Sequence, residues 1–445
     1  MQDTGNHLDI QGGCRLKGEV RISGAKNACL PIMAATLLAK GASHIENVPR
    51  LKDVFTLADV LKSLGASVEW TGENSLAVDT AQVGCLEPDP DLVNKMRASV
   101  LVLGPLFARF GQALIPLPGG CSLGRRPIDL HLAGMESLGA TVIENSDSVA
   151  VKLSRGRRPR GTNIRLGFPS VGATENILMA ATLADGVTVI ENAAREPEIA
   201  DLADFLTLMG AKILGAGETA ITVVGANELH PTAHRVIPDR IEAGTYLVAA
   251  AMTAGKVTLT DVRPDHLTAT VDQLALTGCR LTTEMRSADF PVRMNTIAIE
   301  APDVIRPADV RTLPYPGFPT DVQPQYMALM TRAPGESIFV EKIFERRFLA
   351  AGELKRMGAD IRVLENCALV NGGRRLMGCE VNAPDIRAAA ALLIAGLWAE
   401  GTTRLRGLEH LYRGYERPVE KLRALGAVIG ESCPAAQKCS EVSGA

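Results

Sequence analysis

A short glycine phrase recurs six times along this chain of 445 residues, and no other feature constrains the fold as strongly. Most copies read Leu-Gly-Ala or Met-Gly-Ala, with an aliphatic residue two positions later. The glycines are Gly65, Gly139, Gly210, Gly278, Gly358 and Gly426, and they are separated by 74, 71, 68, 80 and 68 residues. This spacing indicates that one structural unit is repeated six times and fills the chain.

The residues around each glycine predict the content of the unit. An amphipathic stretch such as residues 54–64 precedes the glycine, which is typical of a helix that ends in a left-handed conformation before a strand. Further upstream lies an apolar helix rich in small residues, for example 175–183, and then a β-branched strand such as 187–190. The unit is therefore predicted to run strand, helix, strand, helix, strand, strand.

Six such units predict two similar α/β domains of three units each. Units with two helices and a small sheet stack around a common axis more readily than they form a solenoid, although the pattern does not exclude a solenoid. The length of the chain also favours two or three domains over one core. We expect the junction near residues 225–238, where 228–233 has the composition of a linker, and a substrate cleft between the domains.

Composition excludes several functional classes. The net charge of −3 gives no reason to expect binding to nucleic acid or to an anionic membrane. The nine cysteines are dispersed, without CxxC pairs or zinc-ligand spacing, which is typical of a reducing compartment. The first residues lack the pattern of a signal peptide, and the most apolar runs, 28–39 and 388–399, are too short to span a bilayer. We therefore expect a cytoplasmic protein.

Cys121 has the sequence surroundings of a reactive thiol. It lies in the Pro- and Gly-rich stretch 116–131, directly after Gly119 and Gly120 and shortly before Arg125 and Arg126. Nearby guanidinium groups favour the thiolate, and a loop of this composition leaves the thiol accessible. The alternative is a glycine-rich turn that contains a cysteine by coincidence.

Basic residues at comparable strand-to-helix positions of several repeats predict an anion site. If the repeats stack, these side chains converge on one cleft, and guanidinium groups are suited to carboxylate and phosphate. The residues concerned are Lys26, Arg240, Arg347, Arg387 and Arg413. Asp321, in a Pro-rich turn, is either their counter-ion or a general base. Lys26 alone could equally be a solvated residue at a helix start. No dinucleotide, phosphate-loop or metal motif is present, so the residues indicate an enzyme for a small, doubly anionic substrate.

Seven motifs together resemble one known family, the UDP-N-acetylglucosamine 1-carboxyvinyltransferases (MurA), which are enolpyruvyl transferases of peptidoglycan synthesis. The resemblance extends in order from about residue 16 to residue 429. The motifs are Ser23-Gly24-Ala25-Lys26-Asn27, Pro118-Gly119-Gly120-Cys121, Arg126-Pro127-Ile128-Asp129-Leu130-His131, Ser170-Val171-Gly172-Ala173-Thr174, Pro238-Asp239-Arg240-Ile241-Glu242, Phe318-Pro319-Thr320-Asp321 and Arg413-Gly414-Tyr415-Glu416.

The resemblance implies an α/β fold of two inside-out α/β barrel domains, each with three βαβαββ-like repeats. One domain would contain residues 26–237 and the Cys121 loop, and the other residues 1–25 and 238–445, with a disordered tail at 430–445. The implied reaction transfers the enolpyruvyl group of phosphoenolpyruvate to the 3-hydroxyl of UDP-N-acetylglucosamine and releases phosphate. This is the first committed step of peptidoglycan precursor synthesis. The resemblance implies no cofactor, no metal, no nucleic-acid or membrane partner, and a monomer.

The resemblance also implies a role for each matching residue. Cys121 would protonate the methylene carbon of phosphoenolpyruvate and can add to its C2, and Asp321 would take the proton of the sugar hydroxyl. Lys26, Arg126 and Arg413 would hold the phosphate, while Arg347 and Arg387 would hold the carboxylate. The residues expected to contact UDP-N-acetylglucosamine are Asn27, Arg97, Arg126, Pro127, Ile128, Asp129, Leu130, Phe168, Pro169, Ser170, Val171 and Ile343.

A few residues near the site depart from the family pattern: Arg125, the pair Phe168-Pro169, Arg346 and Tyr412. They leave open a paralogous enolpyruvyl transferase with another nucleotide acceptor. A catalytically silent UDP-sugar sensor is a second alternative, but such a protein would be expected to have lost Cys121, Asp321 or Arg413. The sister family that acts on shikimate 3-phosphate is disfavoured, because the cysteine loop and the Arg126–His131 run are not its pattern.

Overall fold

The computed structural model describes residues 6–116, 128–154, 158–286 and 294–432. The α-helices are α1 (Lys26–Ala35), α2 (Lys52–Ser63), α3 (Pro90–Lys95), α4 (Leu103–Phe110), α5 (Asp129–Ser137), α6 (Val171–Ala181), α7 (Pro197–Leu208), α8 (Arg240–Met252), α9 (Thr268–Leu276), α10 (Gln323–Met330), α11 (Ala350–Arg356), α12 (Ile386–Trp398), α13 (Leu408–Gly414) and α14 (Pro418–Ala424). Helices and strands are interspersed along these residues, with consecutive helices at α3 and α4 and at α13 and α14.

Short 3-10 segments extend or precede some of these helices, at Thr36–Leu38, Arg97–Val102, Pro264–His266 and Arg347–Leu349. The strands are β1 (His7–Gln11), β2 (Lys17–Arg21), β3 (Ala42–Glu46), β4 (Ser67–Gly72), β5 (Ser75–Asp79), β6 (Gln112–Pro116), β7 (Ala140–Glu144), β8 (Ser148–Leu153), β9 (Asn163–Arg165), β10 (Val187–Glu191), β11 (Lys212–Leu214), β12 (Ala220–Val224), β13 (Ala233–Arg235), β14 (Lys256–Val262), β15 (Arg280–Arg286), β16 (Met294–Glu300), β17 (Val310–Arg311), β18 (Gly335–Val340), β19 (Asp360–Leu364), β20 (Cys367–Gly372), β21 (Glu380–Asn382), β22 (Thr402–Arg406) and β23 (Val428–Ser432).

The strands of the described residues form six sheets, one for each copy of the glycine phrase. The unit β9-α6-β10-α7-β11-β12 shows the predicted order in full. Its first two strands are parallel, with Ile164 opposite Ile190, and α6 makes the crossover that a parallel pair requires. The sheet then continues through antiparallel pairs to give the order β11-β12-β10-β9. The prediction of a βαβαββ unit is confirmed.

The six repeated glycines all have the left-handed backbone that ends a helix. Their φ angles lie between 94° and 109°, a region that a side chain with a Cβ rarely adopts. Each glycine lies between its amphipathic helix and the next strand, with at most one residue between the glycine and that strand. Gly65, for example, lies between α2 and β4. The local prediction made from the glycine phrase therefore holds in every repeat.

Buried apolar residues form two clusters. The first core gathers residues between Ala25 and Val236, and the second gathers residues from Leu8 to Ile22 together with those from Ile241 to Ile429. In the second core α8, α10 and α12 contact one another, and every residue of α8 from Ile241 to Met252 is buried. Helices lie inside and sheets outside, and among the described strands no sheet closes into a barrel, which is the inside-out arrangement expected.

The chain connects the two cores through two adjacent segments that run in opposite directions. The backbone N–H of Ala25 donates to the carbonyl of Ile237 at 2.7 Å, and that of Asp239 donates to Ser23 at 2.8 Å. The strand before each crossing pairs within its own core: β2 joins the sheet of β14, and β13 joins the sheet of β3.

Two segments expected to be irregular contain strand residues. The stretch 228–233, which has the composition of a linker, is irregular up to Ala233, where β13 begins, and its Leu229 is buried. Residues 430–432 of the predicted disordered tail belong to β23, which pairs with β1, and the rest of that tail lies outside the described residues. None of the described helices has the length and apolar composition needed to cross a membrane.

Candidate active site

The first anchor of the site is Asp53, which holds one cation from each core. Lys26 is the first residue of α1, and its Nζ lies 3.0 Å from Oδ2 of Asp53, in the first turn of α2. Arg413, on α13, brings its Nε to 2.8 Å from Oδ1 of the same carboxylate. Burial disfavours the ionised form of Asp53, but Lys26 and Arg413 outweigh burial and lower its pKa.

The second anchor is Asp321, at the end of the Pro-rich turn before α10. Its Oδ1 accepts a hydrogen bond from Nη2 of Arg347 at 2.5 Å, and its Oδ2 accepts one from Nη2 of Arg387 at 2.8 Å. Arg347 also donates through Nε to the carbonyl of Thr320 at 3.0 Å, which fixes the turn. Burial opposes ionisation here too, but Arg387 and Arg347 outweigh it and hold the pKa of Asp321 well below its ordinary value.

The two anchors are neighbours. The positive charge of Lys26 also lowers the pKa of Asp321, which places Lys26 within electrostatic reach of the second anchor. A Cβ at Gly414 would lie 3.6 Å from Nη1 of Arg387, so the residue next to Arg413 is in contact with the second anchor. The structure thus brings together five of the predicted residues, Lys26, Asp321, Arg347, Arg387 and Arg413. Four cations and two carboxylates leave a net positive site, suited to a substrate with two anionic groups.

Arg240 does not join this group, contrary to the expectation that the strand-to-helix arginines converge. Its Nε lies 3.0 Å from Oε1 and 3.3 Å from Oε2 of Glu198, and its guanidinium stacks on Tyr315. The carboxylate of Glu198, which the local pattern did not single out, takes the hydrogen bonds of Arg240, so that Arg240 pairs directly with neither anchor. Burial lowers the pKa of Arg240, but Glu198, together with Glu196 and Asp321, outweighs burial and raises it, so Asp321 is still within electrostatic reach.

A buried histidine joins the two segments expected to bind the nucleotide sugar. His131 lies on α5, directly after Ile128, Asp129 and Leu130, and a Cβ at Gly172 on α6 would lie 3.1 Å from its Cε1. The Asn176 side chain donates from Nδ2 to Nδ1 of His131 at 2.9 Å, since its Oδ1 accepts from the N–H of Gly104. Burial, helped by the charge of Arg97, lowers the pKa of His131 to about 4, so the ring is neutral at pH 7 with its proton on Nε2.

The remaining predicted acceptor residues lie around these segments. Asn27 follows Lys26 on α1, and Arg97 begins the 3-10 segment Arg97–Val102. Phe168 is exposed, Pro169 follows it, and the hydroxyl of Ser170 caps α6 by accepting from the N–H of Ala173 ahead of Val171.

Ile343 is tied to the second anchor through Glu341. The buried carboxylate of Glu341 accepts hydrogen bonds from the N–H of Ile343 at 2.7 Å and from the hydroxyl of Thr320 at 3.0 Å. Thr320 directly precedes Asp321, so Glu341 sets the distance between the Ile343 turn and the carboxylate of the anchor.

Cys121, Arg126 and Pro127, and with them Arg125, lie outside the described residues, which resume at Ile128. Of the other departures from the family pattern, Arg346 and Tyr412 are exposed, and neither pairs with the two anchors. Among the described residues no group of three or more His, Cys, Asp or Glu side chains is arranged to hold a metal ion.

Sequence reasoning missed Asp53, His131 with Asn176, and Glu341. A carboxylate in the first turn of an amphipathic helix, as at Asp53, is expected from the helix dipole alone and therefore gives no functional signal. His131 lies within the Arg126–His131 motif, but the residues around it predict no separate role for it.

The repeated unit, the two cores and the paired cation clusters define the class of the protein as an enolpyruvyl transferase. The sequence model of that class, EPSP synthase (3-phosphoshikimate 1-carboxyvinyltransferase), matches residues 10–422. The crystal structure of the enolpyruvyl transferase NikO from Streptomyces tendae is similar to this chain with a TM-score of 0.84 and 27% identity. That similarity covers 97% of this chain and 99% of the other.

Curated relatives narrow the class. UDP-N-acetylglucosamine 1-carboxyvinyltransferase 2 of Carboxydothermus hydrogenoformans is 49% identical over 420 residues, which are 94% of this chain and 98% of the relative. UDP-N-acetylglucosamine 1-carboxyvinyltransferase of Dichelobacter nodosus is 50% identical over 422 residues, 95% of this chain and 98% of the relative. The chain therefore belongs to the family of UDP-N-acetylglucosamine 1-carboxyvinyltransferases, as the motifs indicated.

Proposed function

We propose that the chain transfers the enolpyruvyl group of phosphoenolpyruvate to the 3-hydroxyl of UDP-N-acetylglucosamine and releases phosphate, the first committed step of peptidoglycan precursor synthesis. The observation that carries the proposal is the pair of adjacent cation clusters on Asp53 and Asp321. Phosphoenolpyruvate has two anionic groups a short distance apart, and each cluster can take one of them. The proposal is also supported by relatives whose sequences are 49% and 50% identical to this chain and which are named for this activity.

In the proposed complex, Lys26 and Arg413 bind the phosphate together with Arg126, and Arg347 and Arg387 bind the carboxylate. The 3-hydroxyl oxygen attacks C2 while Cys121 gives a proton to the methylene carbon and Asp321 takes the hydroxyl proton. The Cys121 thiolate then takes a proton back from the resulting methyl group, and phosphate leaves with the electron pair of its C–O bond, which restores the double bond and the thiol. The cations stabilise the negative charge that moves onto the phosphate.

Substrate binding is expected to change Asp321 from a counter-ion into a base. Both oxygens of Asp321 contact guanidinium groups, and this holds its pKa low and makes it a poor proton acceptor. A substrate carboxylate competes for the same guanidinium groups and adds negative charge nearby, and both effects raise the pKa of Asp321. The base would therefore gain strength when phosphoenolpyruvate is in place.

The acceptor is proposed to lie along the two segments joined by His131. Asn27, Arg97, Arg126 to Leu130, Phe168 to Val171 and Ile343 would contact UDP-N-acetylglucosamine. The contact between α5 and α6 around His131 and Gly172 supports this assignment, because it places 128–130 beside 170–171.

We propose residues 26–237 as one domain and residues 1–25 with 238–445 as the other, a division that the two apolar cores support. We also propose a monomer, which is what the resemblance to the family implies. A cytoplasmic location is proposed because the reaction consumes phosphoenolpyruvate, a metabolite of that compartment.

The test is phosphate release from phosphoenolpyruvate with UDP-N-acetylglucosamine, UMP or shikimate 3-phosphate as acceptor, for the wild type and for Cys121→Ala. We expect release that requires UDP-N-acetylglucosamine and is lost in the variant. Release with another acceptor alone would show a paralogous enolpyruvyl transferase. Binding of UDP-N-acetylglucosamine without release would show a UDP-sugar sensor.

A further inference from the structure

Next to Arg387 lies a buried network of polar side chains. Nη1 of Arg387 lies 3.3 Å from the hydroxyl of Tyr415, which lies 3.1 Å from Oγ1 of Thr245. Nε2 of Gln325 lies 3.1 Å from both of these oxygens and 2.9 Å from the carbonyl of Asp321. All four side chains are buried, and they come from α12, α8, α10 and the segment after α13.

The direction of the hydrogen bonds in this network follows from counting protons. The hydroxyl of Thr245 donates to the carbonyl of Ile241 at 2.8 Å, so its oxygen can only accept from Tyr415. Tyr415 therefore donates to Thr245 and accepts from Arg387, which has no acceptor atom of its own. Burial raises the pKa of the Tyr415 hydroxyl, which keeps its proton throughout the neutral range.

The network fixes both halves of the second anchor. Arg387 presents Nη2 to Asp321 at 2.8 Å while Nη1 is held by Tyr415, and the ring of Tyr415 lies 5.7 Å from the guanidinium carbon. Contacts at both terminal nitrogens of a planar guanidinium fix its rotation. If a substrate carboxylate takes the place of Asp321, Tyr415 is, among the described residues, the contact that still holds the guanidinium in that plane.

We propose that Tyr415 is a positioning residue for the reaction, which holds the Arg387 guanidinium in the orientation that receives the substrate carboxylate. Gln325 assists by joining Tyr415 to the backbone of Asp321. The inference rests on the proposed function, since it assigns Tyr415 a part in binding phosphoenolpyruvate.

The test compares Tyr415→Phe with Tyr246→Phe at saturating UDP-N-acetylglucosamine and varied phosphoenolpyruvate. Tyr246, on α8 beside Thr245, is equally buried, but within the described part of the chain its hydroxyl has no hydrogen-bond partner. For Tyr415→Phe we expect KM for phosphoenolpyruvate to rise about 5- to 20-fold with kcat changed less than about threefold, as for the loss of one hydrogen bond to a charged group. The control should keep both constants.

A second pair of variants tests the same network without touching the ring. Thr245→Val keeps the shape of the side chain but removes the acceptor of the Tyr415 proton, whereas Thr245→Ser keeps the acceptor. We expect KM for phosphoenolpyruvate to rise in the valine variant and to return towards the wild-type value in the serine variant. This pair decides the question if Tyr415→Phe does not fold.

The possible failures are distinguishable. A wild type that releases no phosphate from phosphoenolpyruvate with UDP-N-acetylglucosamine refutes the proposed function. If the wild type is active, two results for Tyr415→Phe refute the inference and leave the proposed function standing. The first is an unchanged KM for phosphoenolpyruvate. The second is a loss of kcat and thermal stability without a change in that KM, which is the result of a purely structural role.

Discussion

The two carboxylates of the site differ in where their partners come from. Asp53 binds Lys26 from its own core and Arg413 from the other, and the side chain of Arg413 is 29% exposed. Asp321 binds Arg347 and Arg387, whose side chains are 1% and 7% exposed and which lie beside the core residues Phe348 and Ala388 of the second core. One half of the site is assembled across the two cores, and the other half is built within one.

The difference predicts what happens when the cores move apart. The pair of Arg413 and Asp53 would break, whereas Asp321 with its two arginines would remain intact. Further contacts between the two cores lie at the edge of the site, which we call the rim. There Glu416, from the second core, accepts hydrogen bonds from the N–H of Arg50 at 2.6 Å and from Asn74 at 3.0 Å, both from the first core, and these would also break. The carboxylate side of the substrate therefore meets a preformed surface, and the phosphate side is completed only when the cores meet.

The largest effect is expected from Asp321→Asn. It removes the proposed base and leaves Arg347 and Arg387 buried without a full counter-charge, so kcat should fall by about 10²- to 10⁴-fold. Steady-state phosphate release measures this loss. Asp303→Asn, which removes an exposed carboxylate paired with Arg15, is the matched control and should keep wild-type kcat. A loss in kcat below tenfold would show that Asp321 is only a counter-ion.

Asp53→Asn should act on binding more than on the chemical step. Losing the carboxylate that joins Lys26 to Arg413 should lower kcat/KM for phosphoenolpyruvate by about 10- to 100-fold, mainly through KM. Asp59→Asn, on the exposed face of the same helix, serves as control. If kcat falls as far as in Asp321→Asn, then the distinction between an assembled and a preformed half is wrong.

The free energy of unfolding should depend on pH in the acid range because of Asp53 and Asp321. Each has a pKa in the folded state below its ordinary value of 3.8, so the unfolded chain takes up a proton first and stability falls as pH drops through and below that value. Each contributes a slope of at most about 1.4 kcal/mol per pH unit. Urea unfolding at pH 5 and pH 3 should show Asp321→Asn closer to wild type at pH 3. An equal gap at both pH values would contradict the lowered pKa of Asp321.

The smallest effect is expected at the exposed rim. Glu73 pairs with Arg417 across the cores, but the two side chains are 76% and 60% exposed. Glu73→Gln should therefore change the free energy of unfolding by no more than about 0.5 kcal/mol and kcat/KM less than twofold. Calorimetry measures the change in unfolding free energy of this variant, and steady-state kinetics measures its kcat/KM. These values are the baseline against which the effect of Asp53→Asn is compared. A large change would mean that the rim, and not Asp53, joins the two halves.

Much of the fold was predictable because its signals are local. The left-handed glycines such as Gly65 and Gly358 depend on the absence of a Cβ, and the central helices depend on small residues that pack closely. The β13 strand was missed, because three residues of ordinary composition become a strand only beside β3. Likewise, the basic residues of the site could be predicted from their positions in the repeats. The pairing of Arg240 with Glu198 could not be predicted in this way.

The sequence by itself determined the repeat, the βαβαββ unit and the identity of the charged residues, since each follows from neighbours within a few positions. Only the tertiary structure decided the pairing. Arg413 and Asp53 are 360 residues apart in sequence and 2.8 Å apart in space. An ion pair depends on distance through space and on burial, and neither is encoded near either residue. Which carboxylate holds which cation, and which half of the site is preformed, therefore follows from how the two cores meet.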